Sequence, residues 1–297
     1  MVADPSGAVW SYWEDAPGRG PRAPYLDLCL ETIARHANEL ELRVLGRDDA
    51  ARWLPDIDLD RWHGLPAPNY RSDYARSRLL ERHGGIWIDV DTIALGPLRH
   101  LLDELDDTGM VCWGQELGRF FGGLCAAAAG AEFVSAWAAE QDRVLTKCAD
   151  WSTLGYAALA QDITWHLARR HPWKSIPIAS VSPVPWYQWR RFFSRFESPR
   201  HVLAATPTTV VLWNAVMAPR LAGRTRQDIL AGSTLLDRLL RLGLGTSTPD
   251  EEEDGYTKFH ALADLRFSTP GRRVESGLRT LAAAAARPGR AGVRADR

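Results

Sequence analysis

Lysine is almost missing from this chain. Lys147, Lys174 and Lys258 are the only three among 36 basic residues, and the rest are arginine. We read that bias as codon usage first and phosphate chemistry second. An excess of either sign of charge is missing too: the formal net charge is −1, so no bulk basic field marks a nucleic-acid binder. Only four cysteines occur, Cys29, Cys112, Cys125 and Cys148, with no CxxC pair and no zinc spacing. Reduced thiols in a cytoplasmic protein are the expectation. No apolar run approaches the ~20 residues of a membrane helix. The opening MVADPSGAVW has neither a charged n-region nor an apolar h-region, so no signal peptide is expected. Peripheral membrane contact stays open, although no basic amphipathic helix argues for it. GxxxxGK[ST], HExxH, GxSxG and a helix-opening GxGxxG are all absent.

What is present is an ordinary globular composition. The 297 residues are 45% hydrophobic and 25% charged, enough to bury a large core. Thirteen tryptophans against eight phenylalanines is unusual, and most are expected in the core. Ala8 to Trp13 reads as a strand and Tyr25 to Asn38 as a helix with Leu26, Cys29, Leu30, Ile33 and Ala37 on one stripe. Leu40, Leu42 and Val44 alternate as a second strand, and Asp48 can cap a short helix through Leu54. A strand–helix–strand–helix opening predicts a parallel α/β sheet, with ligands beyond the carboxyl ends of its strands. Further on, helices are expected at Pro97 to Leu105, Glu132 to Leu145, Leu154 to Arg169, Trp186 to Phe196 and Asp228 to Leu242. Strands are expected at Gly109 to Trp113, Phe120 to Ala127, Ile176 to Val184 and Thr208 to Trp213. Thr248 to Gly255 reads as an acidic loop, and Ala282 to Arg297 as a frayed tail without apolar periodicity.

The chain is organised around Arg71 to Leu98, RSDYARSRLLERHGGIWIDVDTIALGPL. It reads as a helix, a two-glycine turn, a short buried strand and an acidic exit. Asp73 and Arg76 are three apart and share a helix face. Gly84 and Gly85 suit a left-handed cap. Asp89 and Asp91 are expected to be extended, so that both carboxylates reach one cation. Two hard oxygen donors on an open site suit Mg²⁺ or Mn²⁺ that also holds substrate phosphates. Asp56, Asp58 and Asp60 form a decoy, DIDLD: Arg61 and Ala67 stand where a calcium loop needs glycine and glutamate, so a solvated turn is expected. His83, at the helix end, is expected to face the helix dipole.

SDxxR, a leucine pair, GG, an apolar strand and DxD resemble the sugar-binding region of the DXD glycosyltransferases of family 32. Their relatives include capsular polysaccharide synthesis proteins and the catalytic domain of large glucosylating toxins. The resemblance is strong from Trp10 to Leu98 and weaker to Asn214. It implies a GT-A fold: a Rossmann-like α/β domain with a mixed, mainly parallel sheet flanked by helices, spanning residues 1–247, with a tail over 248–297. It further implies a hexosyltransferase that takes a nucleotide-sugar donor, such as a UDP-sugar, and a glycan or other hydroxyl acceptor, with retention. Asp73 and Arg76 would hold the sugar, Trp13 would stack on the base, and Asp89 and Asp91 would hold Mn²⁺ or Mg²⁺. Relatives often carry a late His as a third ligand. Here Val211 takes that position, and Asn214 is the candidate donor. An Asn often found after the DxD strand has no counterpart, since residues 120 to 123 are FFGG. Two rivals stay open. IWIDVDTI also resembles the first motif of haloacid-dehalogenase-type phosphohydrolases, with Lys174 as the downstream lysine. A non-catalytic sugar-nucleotide-binding relative is the other.

Overall fold

Ala8–Tyr12 forms the first strand, β1, and all five residues are buried. A strand closed off on both faces needs a neighbour on each side and helices above and below. β2 (Glu41–Leu45) and β3 (Gly85–Ile88) supply the neighbours, and both run parallel to β1. The structure, a computed structural model, describes residues 7–15, 21–118 and 120–254. Its main sheet also contains β5 (Met110–Trp113), β6 (Phe121–Ala127) and β7 (Lys174–Ile176), in the order β2-β1-β3-β6-β5-β7. β6 runs antiparallel to both β3 and β5, whereas β7 is parallel to β5. β4 (Thr92–Ala94) and β8 (Thr209–Val211) pair separately as an antiparallel ribbon. The mixed, mainly parallel sheet is therefore present. One edge gathers the carboxyl ends of β1, β2, β3, β5 and β7 together with the start of β6.

β2 and β3 flank β1 on opposite sides, so the right-handed crossover rule assigns the Pro24–Ala37 and Pro68–His83 helices to opposite faces of the sheet. The first packs on the Leu235–Leu244 helix and β4, the second on the Glu132–Lys147 helix. The stripe expected on the first helix is buried in full. Each helix has proline in its first turn, where the missing N–H costs nothing. The second helix stops at Gly84, whose φ of 65° and ψ of −160° are open essentially to glycine alone. This differs from a left-handed cap: φ is positive, but ψ is already extended and leads straight into β3. At Gly85 a Cβ would lie 2.5 Å from the Ala8 carbonyl oxygen, so this glycine lets β3 close on β1.

Several elements depart from their expected bounds, each for a local reason. Residues 154 to 160 turn before a shorter Gln161–Leu167 helix, because side chains rather than helical amides take the Leu154 and Leu159 carbonyls. The expected Asp228 to Leu242 helix is two, Arg226–Leu230 and Leu235–Leu244, each begun by its own capping box at Thr225 and Thr234. β7 ends at Ile176, where Pro177 opens an Ile178–Val181 helix. Only His100–Asp103 of the Pro97 segment is helical, and Trp186–Phe193 is a 3-10 helix. In the DIDLD decoy, Asp58 accepts the Arg61 N–H at 3.0 Å and caps the Leu59–Gly64 helix. His83 bonds the Trp53 carbonyl at 2.8 Å rather than serving its own helix end.

The acidic segment is a helix, Pro249–Asp254, not a loop. The Thr248 hydroxyl accepts the Glu251 N–H, and the Glu251 carboxylate accepts the Thr248 N–H. Acids in a first helical turn are favoured by the dipole. Glu252 is buried and pairs with Arg241 at 2.7 Å, so the first part of the expected tail packs on the domain. Ala282 to Arg297 lies outside the described residues. Glu252→Ala is expected to lower stability by about 1.5–3 kcal/mol, the usual worth of hydrogen bonds to a charged group. Chemical denaturation checks this, and an unchanged midpoint would return the segment to the surface.

Candidate active site

Trp13 and Asp89 follow the carboxyl ends of β1 and β3, on one edge of the sheet. Trp13 is half-buried; its backbone N–H bonds the Leu45 carbonyl at 2.9 Å, and its indole bonds Asp15 at 3.1 Å. Trp10, three residues earlier, is the core tryptophan, fully buried with its indole on the Gly84 carbonyl at 2.9 Å. The residue after Trp13 is held hard. Glu14 takes Arg71 through both carboxylate oxygens, at 2.5 and 2.9 Å, and also accepts the Tyr12 hydroxyl. Burial opposes ionisation of Glu14, but Arg71 and Tyr12 outweigh it and hold its carboxyl below the ordinary value.

Arg76 is the centre of the site. Its guanidinium is buried, 3.2 Å from Asp73 and 2.9 Å from Asp89. It also lies over the Trp87 ring, 5.0 Å from the centroid. The Trp87 indole adds a bond to Asp89 at 2.8 Å. Two glycines make the space. A Cβ on Gly122 would stand 2.8 Å from an Arg76 nitrogen, and one on Gly123 would stand 2.7 Å from an Asp89 oxygen. The FFGG segment, read as lacking an expected Asn, thus houses both groups. Two adjacent glycines inside a strand were its sequence signal.

Asp91 is not extended from Asp89. A turn at Val90 and Asp91 separates β3 from β4 and sends Asp91 toward β8 and the helix that follows. There Asp91 accepts the Asn214 N–H at 2.6 Å, and its carbonyl accepts the Leu212 N–H at 2.8 Å. Asn214 opens the Asn214–Leu221 helix after Trp213, which sits at φ 61° and ψ 65°. The Asn214 side-chain oxygen accepts the Tyr25 hydroxyl, a residue read only as helix. Val211 is buried in β8.

The carboxylates repel one another. Burial pushes Asp73 up to about 7, with the Asp89 charge adding and Arg76 opposing. Burial also pushes Asp91 up to about 6, again with Asp89 adding and the Asn214 N–H opposing. A divalent cation would relieve that repulsion. Among the described residues no set of three or more His, Cys, Asp or Glu gathers at one point. Asp89, Asp91 and the Asn214 amide oxygen are hard donors of the kind that Mg²⁺ or Mn²⁺ takes, with water and phosphate to complete the set.

Residues 30–108 match the family described as "Glycosyltransferase sugar-binding region containing DXD motif". Over that stretch the chain is similar to the glycosyltransferases of this family. The matched stretch holds Asp73, Arg76, Asp89 and Asp91, while Trp13 and Asn214 lie outside it. Among solved structures, the apo form of the glycosyltransferase GlyE of Streptococcus pneumoniae TIGR4 is 13% identical, with a TM-score of 0.47 over 84% of this chain and 63% of that one. The bifunctional glycosyltransferase WbbM is 15% identical, with a TM-score of 0.46 over 86% of this chain and 52% of that one. The galactosyltransferase LgtC, solved with donor and acceptor sugar analogues, is 13% identical, with a TM-score of 0.42 over 84% and 99%. No curated protein matches the chain.

The strain on Asp91 has a testable sign. Its folded pKa lies above the ordinary value of 3.8, so the native state holds the proton more tightly than the unfolded chain. Stability is therefore lost as pH rises from about 4 through about 6. Asp91→Asn keeps an acceptor for the Asn214 N–H and removes the charge. In metal-free buffer at pH 8 the variant should be more stable than wild type by on the order of 1–3 kcal/mol, with the difference vanishing below about pH 4. Melting curves at the two pH values check it, and a less stable variant at pH 8 would contradict it.

Proposed function

We propose that this protein is a glycosyltransferase that moves a hexose from a nucleotide-diphosphate sugar, with uridine as the nucleotide, to a hydroxyl of a glycan or other acceptor. One observation carries the reading: a single buried guanidinium, Arg76, is bonded to both Asp73 and Asp89. It joins the helix face assigned to the sugar with the turn assigned to the diphosphate. Asp73 is placed to take sugar hydroxyls, and Trp13, at the next strand end, to stack on the base. In this reading Arg76 serves the leaving group, where its charge counts most as the glycosidic bond breaks.

The reading includes divalent-metal dependence, with Asp89 and Asp91 as ligands and Asn214 as a third donor. When bound, Mn²⁺ or Mg²⁺ would supply counter-charge to the departing diphosphate. Asn214 would have to share its oxygen with Tyr25. Retention of anomeric configuration and a cytoplasmic location complete the proposal. Among the described residues no helix is long and apolar enough to cross a membrane. The phosphohydrolase rival loses its lysine: Lys174 begins β7, level with Val111 and three strands from β3, and pairs with Glu104 at 2.7 Å.

Asp89→Asn and Asp91→Asn should each cut donor-sugar turnover by about 10²–10³, as loss of a transition-state electrostatic contact does. Asn at Asp56, Asp58 or Asp60 should leave it near wild type. EDTA should silence the wild type, and Mn²⁺ or Mg²⁺ should restore it. Donor hydrolysis by the five variants, with and without metal, is the measurement. Full activity at Asp89→Asn and Asp91→Asn would sink the reading. Trp13→Ala should weaken nucleotide binding roughly 5- to 150-fold, since base stacking is worth ~1–3 kcal/mol. Unchanged nucleotide affinity in a folded variant would confine Trp13 to a packing role.

A further inference from the structure

The aromatic and basic segment Trp186–Phe193 forms a 3-10 helix that does not spend all its rings on packing. Phe192 is fully buried and anchors it. Trp186 and Tyr187 are 61% and 63% exposed, and their rings meet edge to face with centroids 6.2 Å apart. With three residues per turn, Arg190 stands above Tyr187 on one face. Arg190 is exposed, and its guanidinium lies over the Trp189 ring, 4.6 Å from the centroid. Arg220, from the Asn214–Leu221 helix, lies over the same ring at 3.7 Å. Trp189 also meets Phe193, at 6.0 Å between centroids.

Two positive charges thus share one indole, no more than about 8 Å apart, close to a Debye length at physiological salt. Among the described residues no carboxylate lies within ion-pair distance of Arg190 or Arg220, and Arg220 donates to the Val216 carbonyl instead. The nearest acid in sequence, Glu197, is taken by Arg191 at 2.5 Å and by His201 at 3.7 Å. Like charges held side by side without a counter-charge favour an anionic partner. The exposed rings beside them favour a partner that also removes apolar surface from water. Rings that far exposed project rather than line a groove, so the partner's surface has to yield around them. The chain after Asp254 carries nine lysines and arginines against three acids, so its charge is repelled by this patch.

We propose that the Trp186–Phe193 segment docks the protein on an anionic membrane surface, with Trp186 and Tyr187 in the interface and Arg190 and Arg220 on lipid phosphates. Tryptophan and tyrosine, each with an apolar body and a polar tip, suit that boundary, and arginines beside them draw anionic headgroups. A neutral sugar would leave both charges idle. An acidic protein would use the charges but would need a preformed hollow for two projecting rings, whereas a bilayer opens around them. The docking stands independently of the glycosyl-transfer reading. Its consequence for the fold is positional: the helix that carries Arg220 begins at Asn214, roughly 9 Å earlier along its axis, so docking holds the acidic edge of the sheet near the bilayer.

Co-sedimentation of the full chain with vesicles tests this, using phosphatidylcholine alone and an equimolar mixture of phosphatidylcholine and phosphatidylglycerol. Wild type is expected to bind the mixed vesicles about tenfold or more tightly than the neutral ones, and to leave them at high salt. Arg190→Gln with Arg220→Gln should weaken binding about 30-fold, the worth of two arginines at such a surface. Trp186→Ala with Tyr187→Ala should weaken it on the order of tenfold. Arg190→Lys with Arg220→Lys keeps the charge and should stay within about threefold of wild type. Trp165→Ala with Arg169→Ala removes another exposed tryptophan–arginine pair, at the end of the Gln161–Leu167 helix, and should match wild type. The replaced side chains are exposed, so the variants should fold, and melting curves check that they do. Absence of wild-type binding to the mixed vesicles overturns the proposal. So does wild-type binding by either folded variant of the patch, or an equal loss in the Trp165 and Arg169 variant. Poly-glutamate is the rival probe: binding to it, with none to vesicles, overturns the proposal in favour of an acidic polypeptide.

Discussion

The structure turns on a positive charge buried between two negative ones. Taking a guanidinium out of water is costly unless each of its partners is in place. Arg76 meets that condition with Asp73 on its own helix, Asp89 across the chain and the face of Trp87. Much of the surrounding design serves that cluster. Gly122 gives the guanidinium its space, Gly123 gives Asp89 its space, and Gly84 with Gly85 brings β3 to the position where Asp89 can be reached. Removing the arginine would leave two carboxylates facing each other in a site that already pushes carboxyl protons on. The geometry of charge, more than any cavity, defines this site.

The sheet explains why the charges meet where they do. Five strands deliver their carboxyl ends to one edge, and the antiparallel β6 starts there. Residues far apart in sequence therefore become neighbours without special loops. β4 and β8 add a second, smaller ribbon that brings Asn214 to Asp91. Tyr25 then ties the start of the Pro24–Ala37 helix into the same cluster through Asn214. The Asp91 carboxylate and the first crossover helix are thus one hydrogen-bonded unit.

Much of this was legible in the sequence wherever a local pattern carried it. The helix before GG, the short apolar strand and the paired acids announce themselves over two dozen residues. Trp10 and Trp13 could be sorted because the strand end lies between them. What stayed hidden depended on contacts distant in sequence. Nothing local says that Gly122 and Gly123 face Arg76 and Asp89, or that Tyr25 reaches Asn214 across 189 residues. The loop at 154 to 160 read as helix because its composition permits one, whereas its carbonyls were claimed by Tyr70, Trp137 and Gln141. The acidic run read as a loop because charge hides a capping box, and Arg241, its partner, lies on another helix. The paired acids themselves misled on one point: spacing by two suggested an extended segment, and the chain turns instead.

The Pro68–His83 helix grips both ends of the proposed donor site. Arg71 holds Glu14, next to Trp13 at the end of β1, and Arg76 holds Asp89 at the end of β3. The two arginines are five residues apart, a rise of roughly 7.5 Å and a rotation of roughly 140° about the helix axis. That rod is a ruler. It sets how far Trp13 stands from the acidic turn, and so, on the proposed reading, what length of nucleotide can lie between them. A point change at either arginine would loosen one grip and leave the scale intact. One residue added between them would turn one arginine about a quarter-circle away from its carboxylate. Asp73 apart, the interval between Arg71 and Arg76 should therefore tolerate changes of residue type far better than any change of length.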